Sequence, residues 1–189
     1  MHHEETMTAI YRVEGNRVVT SPDAAGPWDR RMQHGSAPAS LVTWAAERIP
    51  TPVPMAIARV TIDLMRPVPV APLTIETEVL REGRKIQLCE IKLLADGVQV
   101  VGATVLKIKT QALTLPDDVK ELPVTLPAPE DSLAEDGHAA TSPFVRSVSM
   151  RAARGRFGQA GAGAIWFRVD HQLIARFKKE YDEAIDPPL

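Results

Sequence analysis

The sequence GPWDRRMQHGSAPASLVTWAAERI, residues 26–49, decides how this chain folds. Its second half, residues 37–49, is apolar on nearly every side until the last turn, and a helix of that composition is buried inside a domain. Ser36 is the expected N-cap, and Pro38 falls in the first turn, where a missing N–H costs little. We therefore expect a buried helix here, with the rest of the chain wrapped around it.

His34 and Gly35 stand immediately before this helix. The N–H groups of a helix's first turn have no partner within the helix and carry partial positive charge. A helix start of this kind can receive a carbonyl oxygen or an anion.

Outside the helix, the apolar residues alternate with polar ones, which is typical of strands that have one face on a core. Six segments show this alternation, at residues 9–13, 17–20, 56–65, 73–80, 85–94 and 98–109. A Gly-Asn pair separates the first two, and Glu-Gly and Asp-Gly turns separate the last three. A hairpin, a buried helix and long antiparallel strands together predict one α+β unit.

The last part of the chain has a different character. Residues 114–143 are rich in proline and acidic side chains and show no periodicity, which predicts a linker. Two strands are predicted at 144–153 and 164–169, and a helix capped by Asp170, with Leu173 and Ile174 on its apolar face. We expect this segment to pack on the first unit or on another chain. The predicted parts are thus residues 1–113, 114–143 and 144–189.

The composition excludes several classes of function. The net charge is −2 and the pI about 6.2, so there is no electrostatic case for nucleic acid or an anionic membrane as the principal partner. Cys89 is the single cysteine, which excludes an intrachain disulfide. The sequence shows no apolar run of about 18 residues, no signal peptide and no metal-ligand spacing. We expect a cytoplasmic protein without a metal or cofactor.

Three segments, GPWDRRMQHG, ARVTIDLMRPVP and LREGRKIQLCEIKLLADG, together resemble the N-terminal hotdog domain of the TesB-like (type II) acyl-CoA thioesterases. In a hotdog fold, a curved antiparallel sheet wraps a long central helix. The resemblance covers residues 9–110, and it continues more faintly over 148–167, where it suggests the start of a second hotdog. Members of the family carry two hotdogs, and the second holds the catalytic Asp, Thr and Gln. Asp186 is the position here that corresponds to the aspartate, and the segment with the Thr and Gln is missing.

The resemblance implies an acyl thioester as substrate, carried by coenzyme A or an acyl-carrier protein. Hydrolysis of a thioester needs a polarised carbonyl, a positioned water and a base. We expect the N–H groups of Gly35 and Ser36 to hold the oxyanion, and His34 to hold the water. The alternative is that Gly35 only permits a tight helix start and that His34 bonds the backbone.

Two arginines at strand ends, Arg66 and Arg84, are candidates for gripping the phosphates of coenzyme A, or else they are structural turn residues. Trp28 is expected to form the pocket wall or part of the core. Asp29 precedes His34 with four residues between them, a spacing also found in the hydratase branch of the hotdog superfamily. The competing interpretation is that Asp29 pairs with a neighbouring arginine.

The leading hypothesis is hydrolysis of an acyl thioester. The alternatives are a dehydratase or hydratase acting on an enoyl or hydroxyacyl thioester, and a hotdog that binds a hydrophobic ligand without catalysis. Since a single hotdog leaves a helix end and a sheet edge exposed, we expect a homodimer whose partner supplies the missing half.

Overall fold

The structure, a computed structural model, describes residues 9–114, 116, 125–135, 142–169 and 172–176. The described part contains one α-helix, α1, at Ser36–Glu47. The strands are β1 Tyr11–Glu14, β2 Arg17–Thr20, β3 Met55–Leu64, β4 Leu73–Glu82, β5 Ile86–Ala95, β6 Val98–Lys109, β7 Leu133–Ala134, β8 Val148–Arg154, β9 Ala164–Val169 and β10 Ile174–Arg176. Short 3₁₀ turns lie at Pro22–Ala24, Pro129–Asp131 and Phe144–Ser147.

The long strands form a seven-stranded sheet with the order β10-β1-β2-β4-β5-β6-β3. Strands β3 to β6 all contact α1, so the sheet curls around the helix. The Asp96 and Gly97 residues between β5 and β6 have φ of 53° and 76°, as a two-residue hairpin turn requires. The predicted α+β hotdog fold is confirmed.

One face of α1 forms the centre of the core. Leu41, Val42 and Ala46 have no exposed surface, and they pack in one cluster with Ile91 of β5 and Val105 of β6. The opposite face, with Ser40, Thr43 and Trp44, is only half-buried. The prediction of a helix buried all round therefore holds for one side, because the sheet wraps one side of the helix.

The helix begins differently from the prediction. Gly35 is the N-cap and has no side-chain capping bond, and Ser36 is the first helical residue, so the assignment of Ser36 as N-cap is wrong. The helix ends at Glu47, and Arg48 then lies over the Trp44 ring, 3.8 Å from its centre. This cation–π contact covers part of the half-buried face.

The carboxyl-terminal part contacts the first unit at two places. The Phe144 N–H donates to the carbonyl of Ala25 at 3.2 Å, and β10 pairs in parallel with β1, Ile174 opposite Tyr11. The helix predicted to carry Leu173 and Ile174 is therefore wrong over the described residues, since Ile174 belongs to a strand. Asp170 and residues 177–189 lie outside the described residues.

Strands β7, β8 and β9 form a separate antiparallel sheet with the order β7-β8-β9. The 144–153 prediction is corrected at its start, where Phe144–Ser147 is a 3₁₀ turn and the strand begins at Val148. Within the described ranges, no helix has the length and apolar character needed to cross a membrane.

Replacing Leu41 with alanine tests the assignment of the core. The side chain is fully buried, so Leu41→Ala should lower the free energy of unfolding by about 2–5 kcal/mol. The matched control is Leu113→Ala, because Leu113 is 69% exposed and its loss should cost at most about 0.5 kcal/mol. Denaturant unfolding measures both, and equal losses would contradict a core centred on this face of α1.

Candidate functional site

A pocket of about 760 Å³ opens beside the N-terminal end of α1. The loop before the helix forms one side, and the end of β3 with the residues that follow forms the other. Most of the lining side chains are apolar, among them Met32, Pro38, Leu64, Met65 and Val68. A mostly apolar cleft with a few polar groups at one end is typical of a site for a small organic ligand.

The loop before α1 is held by backbone and side-chain hydrogen bonds. The Gln33 N–H donates to the carbonyl of Val68, and the His34 N–H donates to the carbonyl of Ala24, both at 2.8 Å. The Gln33 side chain accepts a hydrogen bond from the buried Tyr11 hydroxyl and donates to the carbonyl of Pro69 at 2.7 Å. These bonds fix the direction in which the chain enters the helix.

His34 lies between the pocket and the carboxyl-terminal part of the chain. Its ring stacks on Phe144, with ring centres 5.0 Å apart and planes within 7° of parallel. The Ser36 N–H donates to Nδ1 of the ring at 3.2 Å. Partial burial lowers the pKa of His34, so the neutral ring is favoured.

Gly35 lines this pocket. Among the described residues, nothing accepts a hydrogen bond from its N–H. A Cβ built on Gly35 would lie 3.6 Å from Leu64 Cδ1, so the missing side chain leaves a gap between the helix start and β3. The Ser36 N–H, which was also expected to hold the oxyanion, donates to His34 in this structure.

Asp29 lines the pocket but is bound to its neighbour. Both carboxylate oxygens accept hydrogen bonds from the Arg31 side chain, at 2.8–3.2 Å, and one also accepts from the Arg31 N–H. The Arg31 side chain lowers the pKa of Asp29. The interpretation of Asp29 as the partner of a neighbouring arginine is therefore the one the geometry shows.

The remaining predicted site residues fall in different places. Trp28 and Arg66 line the pocket, and Trp28 is 97% exposed. Arg84 does not belong to it, because it lies in the β4–β5 turn, at the end of the sheet where Gln87 meets the carbonyl of Pro50 after α1. Asp186 lies outside the described residues. No cluster of His, Cys, Asp and Glu within the described ranges could hold a metal ion.

Phe144 and Leu64 belong to the site but were not among the predicted residues. Leu64 was recognisable as the end of an alternating strand, yet nothing local shows that this end lies beside Gly35. Phe144 is 110 positions after its stacking partner His34, so no local pattern indicates the contact.

Residues 24–108 match the family described as acyl-CoA thioesterase N-terminal domain. No curated protein sequence matches the chain significantly.

Three solved structures are similar in fold. A conserved protein of unknown function with a hot dog fold from Alicyclobacillus acidocaldarius has a TM-score of 0.65 and 19% identity, and the match covers 90% of this chain and 63% of that one. A putative thioesterase from Novosphingobium aromaticivorans has a TM-score of 0.63 and 18% identity, with 85% and 65% covered. The tesB protein of Mycobacterium avium subs paratuberculosis has a TM-score of 0.57 and 20% identity, with 86% and 58% covered. The chain thus spans less than two thirds of the length of each of them. Residues 24–108 therefore match the acyl-CoA thioesterase N-terminal domain, and the similar structures show that the fold is a hotdog.

Proposed function

We propose that this protein hydrolyses an acyl thioester of coenzyme A or an acyl-carrier protein. The observation that carries the proposal is the Gly35 N–H, which has no acceptor among the described residues and belongs to a residue that lines the apolar pocket, within the segment that matches this family. A preorganised N–H aimed at a carbonyl oxygen stabilises the negative charge that develops when water attacks the carbonyl carbon.

The pocket suits the two ends of such a substrate. The acyl chain lies along Met32, Leu64 and Val68, where its burial is favourable by about 25 cal/mol per Å² of apolar surface. The carrier part extends past Arg66 and Trp28 at the rim, where a guanidinium can pair with a phosphate. In this pose the thioester carbonyl reaches the Gly35 N–H.

Hydrolysis also requires a base, and this requirement defines the second candidate function. Asp29 is the carboxylate among the described lining residues, and Arg31 occupies both of its oxygens. The resemblance points to Asp186 for this role. If no base reaches the site, the same pocket binds an acyl thioester without cleaving it.

A panel of acyl-CoA and enoyl-CoA thioesters tests the proposal. Hydrolysis releases a free thiol, which a thiol reagent detects, whereas hydration removes the enoyl absorbance without releasing thiol. Retention of the intact thioester without either change would indicate binding alone. Absence of thiol release from every substrate offered, carrier-protein thioesters included, would refute hydrolysis.

The variant Gly35→Ala tests whether the reaction takes place beside the Gly35 N–H. Gly35→Ala keeps an ordinary helical backbone, with φ of −55°, and so should change the free energy of unfolding by less than about 1 kcal/mol. The Cβ enters the gap beside Leu64, and kcat/KM should fall about 100-fold because the carbonyl is displaced from the N–H.

Gly83→Ala is the matched control for that variant. Its Cβ would make only an ordinary contact, 3.8 Å from the carbonyl oxygen of Ile86, at the opposite end of the sheet. This variant should retain full turnover. Equal activity of the two variants would remove Gly35 from the mechanism.

We also propose that the protein acts as a homodimer joined along β3. This strand is ten residues long and, among the described strands, pairs only with β6, so one edge carries unpaired backbone groups. Trp28, Leu64 and Met65 are 97%, 53% and 62% exposed at the adjoining pocket rim. An edge and an apolar rim side by side suit a second copy of the chain, which would also close the pocket.

Light scattering during size-exclusion chromatography tests the dimer. The wild type should have about twice the chain mass of 20.7 kDa. Leu64→Glu should dissociate it, since burying an unpaired carboxylate raises the dissociation constant at least about tenfold. Leu80→Glu is the control, because Leu80 is 47% exposed on β4, away from this edge. A monomeric wild type, or equal behaviour of both variants, would contradict an interface along β3.

A further inference from the structure

We propose that His34 polarises the thioester carbonyl as a fixed hydrogen-bond donor, through Nε2–H beside the Gly35 N–H, and that it does not act as the base. This inference rests on the proposed function, because it assigns a role within the same site. It replaces the expectation that His34 holds the attacking water.

The first step is the position of the ring proton. A backbone N–H only donates, so the Ser36 N–H at 3.2 Å requires an unprotonated Nδ1. A neutral imidazole carries one proton, which then lies on Nε2. A nitrogen that already carries a proton cannot accept one from water, so Nε2 of this tautomer is a donor.

The second step is what keeps the ring neutral and oriented. Phe144 covers one face of the imidazole at 5.0 Å, and its stacking fixes the plane of the ring. The ring also faces the first turn of α1, whose partial positive charge disfavours an imidazolium. Burial also lowers the pKa of His34, which favours the neutral ring.

The third step is that the two donors belong to adjacent residues that both line the pocket. His34 and Gly35 both line the pocket, and within the described part of the chain neither Nε2 nor the Gly35 N–H has a hydrogen-bond partner. The Ser36 and Ala37 N–H groups are both taken, by His34 Nδ1 and by the carbonyl of His34. The free donors at the helix start are therefore the ones a carbonyl oxygen would meet.

In the reaction, water adds to the carbonyl carbon and a C–O bond forms, while the carbonyl electrons move to the oxygen. The Gly35 N–H and His34 Nε2–H hold that oxyanion. The C–S bond then breaks and the thiolate leaves. The proton lost by water passes to a carboxylate, which becomes a carboxylic acid.

Nitrogen NMR of the unliganded protein tests the tautomer without any substrate. In protein labelled with ¹⁵N-histidine, and with the His34 signals assigned by their loss in His34→Gln, Nδ1 should resonate as an unprotonated nitrogen and Nε2 as a protonated one. A proton on Nδ1 would overturn the inference. If the wild type cleaves no thioester, the proposed function fails, and this measurement still decides the tautomer.

Two substitutions separate the donor role from the other roles. His34→Asn can place its oxygen where Nδ1 accepts from Ser36 but has no donor at Nε2, so it should retain the midpoint of chemical unfolding and lose about 100-fold or more in kcat. His34→Gln can place an N–H near the Nε2 position, so it should unfold at lower denaturant and keep kcat within about tenfold of wild type.

The variant with the higher kcat shows whether His34 acts as a donor, as a general base or only in the structure. A general base would be lost equally in both, so equal, severe losses in kcat would contradict the donor role. If the role of His34 were purely structural, the more stable variant would have the higher kcat, and that is the asparagine variant. Only the donor role makes the less stable glutamine variant the better catalyst.

Discussion

The position of α1 within the sheet depends on two buried polar side chains beyond its carboxyl-terminal end. Lys107 Nζ donates to the carbonyl of Ile49, and Gln87 Nε2 donates to that of Pro50, both at 2.7 Å. The two residues lie opposite each other on β6 and β5, and neither is more than 3% exposed. A buried donor that is left without an acceptor costs about 1–3 kcal/mol, so these bonds stabilise one position of the helix end against others. Because the helix is rigid, fixing its end also fixes where its first residue meets β3.

Several hydrogen bonds hold the loop at the other end of α1. Gln33 bonds with its backbone to Val68 and with its side chain to Tyr11 and Pro69, and His34 bonds to Ala24. The Gly35 N–H has no acceptor among the described residues, and Gly35 lines the apolar pocket. A site built in this way needs no reorganisation when a carbonyl oxygen arrives, which is the condition under which hydrogen-bond donors contribute most to catalysis.

Periodicity alone predicted most of the fold, because the helix and the long strands bury continuous apolar faces that are visible in the sequence. What it missed depends on contacts between distant segments. Ile174 has helical spacing to its neighbours but pairs with Tyr11, and the tertiary contact prevails over the local pattern. Arg66 and Arg84 both follow strands. Because β3 and β4 run in opposite directions, these two arginines lie at opposite ends of the strands of the sheet. The hydrogen bond from the Ser36 N–H to His34 agrees with the alternative expectation that His34 bonds the backbone.

The first turn of α1 carries no acidic residue, and this absence has a chemical consequence. A carboxylate on that turn would itself accept the free N–H groups, since helix starts attract negative charge. The donors would then be unavailable to a neutral carbonyl. Keeping the base off this helix leaves the Gly35 N–H free, but the base must then reach the pocket from another segment or another copy. Leu64 and Met65, at the pocket rim where β3 ends, are 53% and 62% exposed, and we infer that the base arrives across this rim.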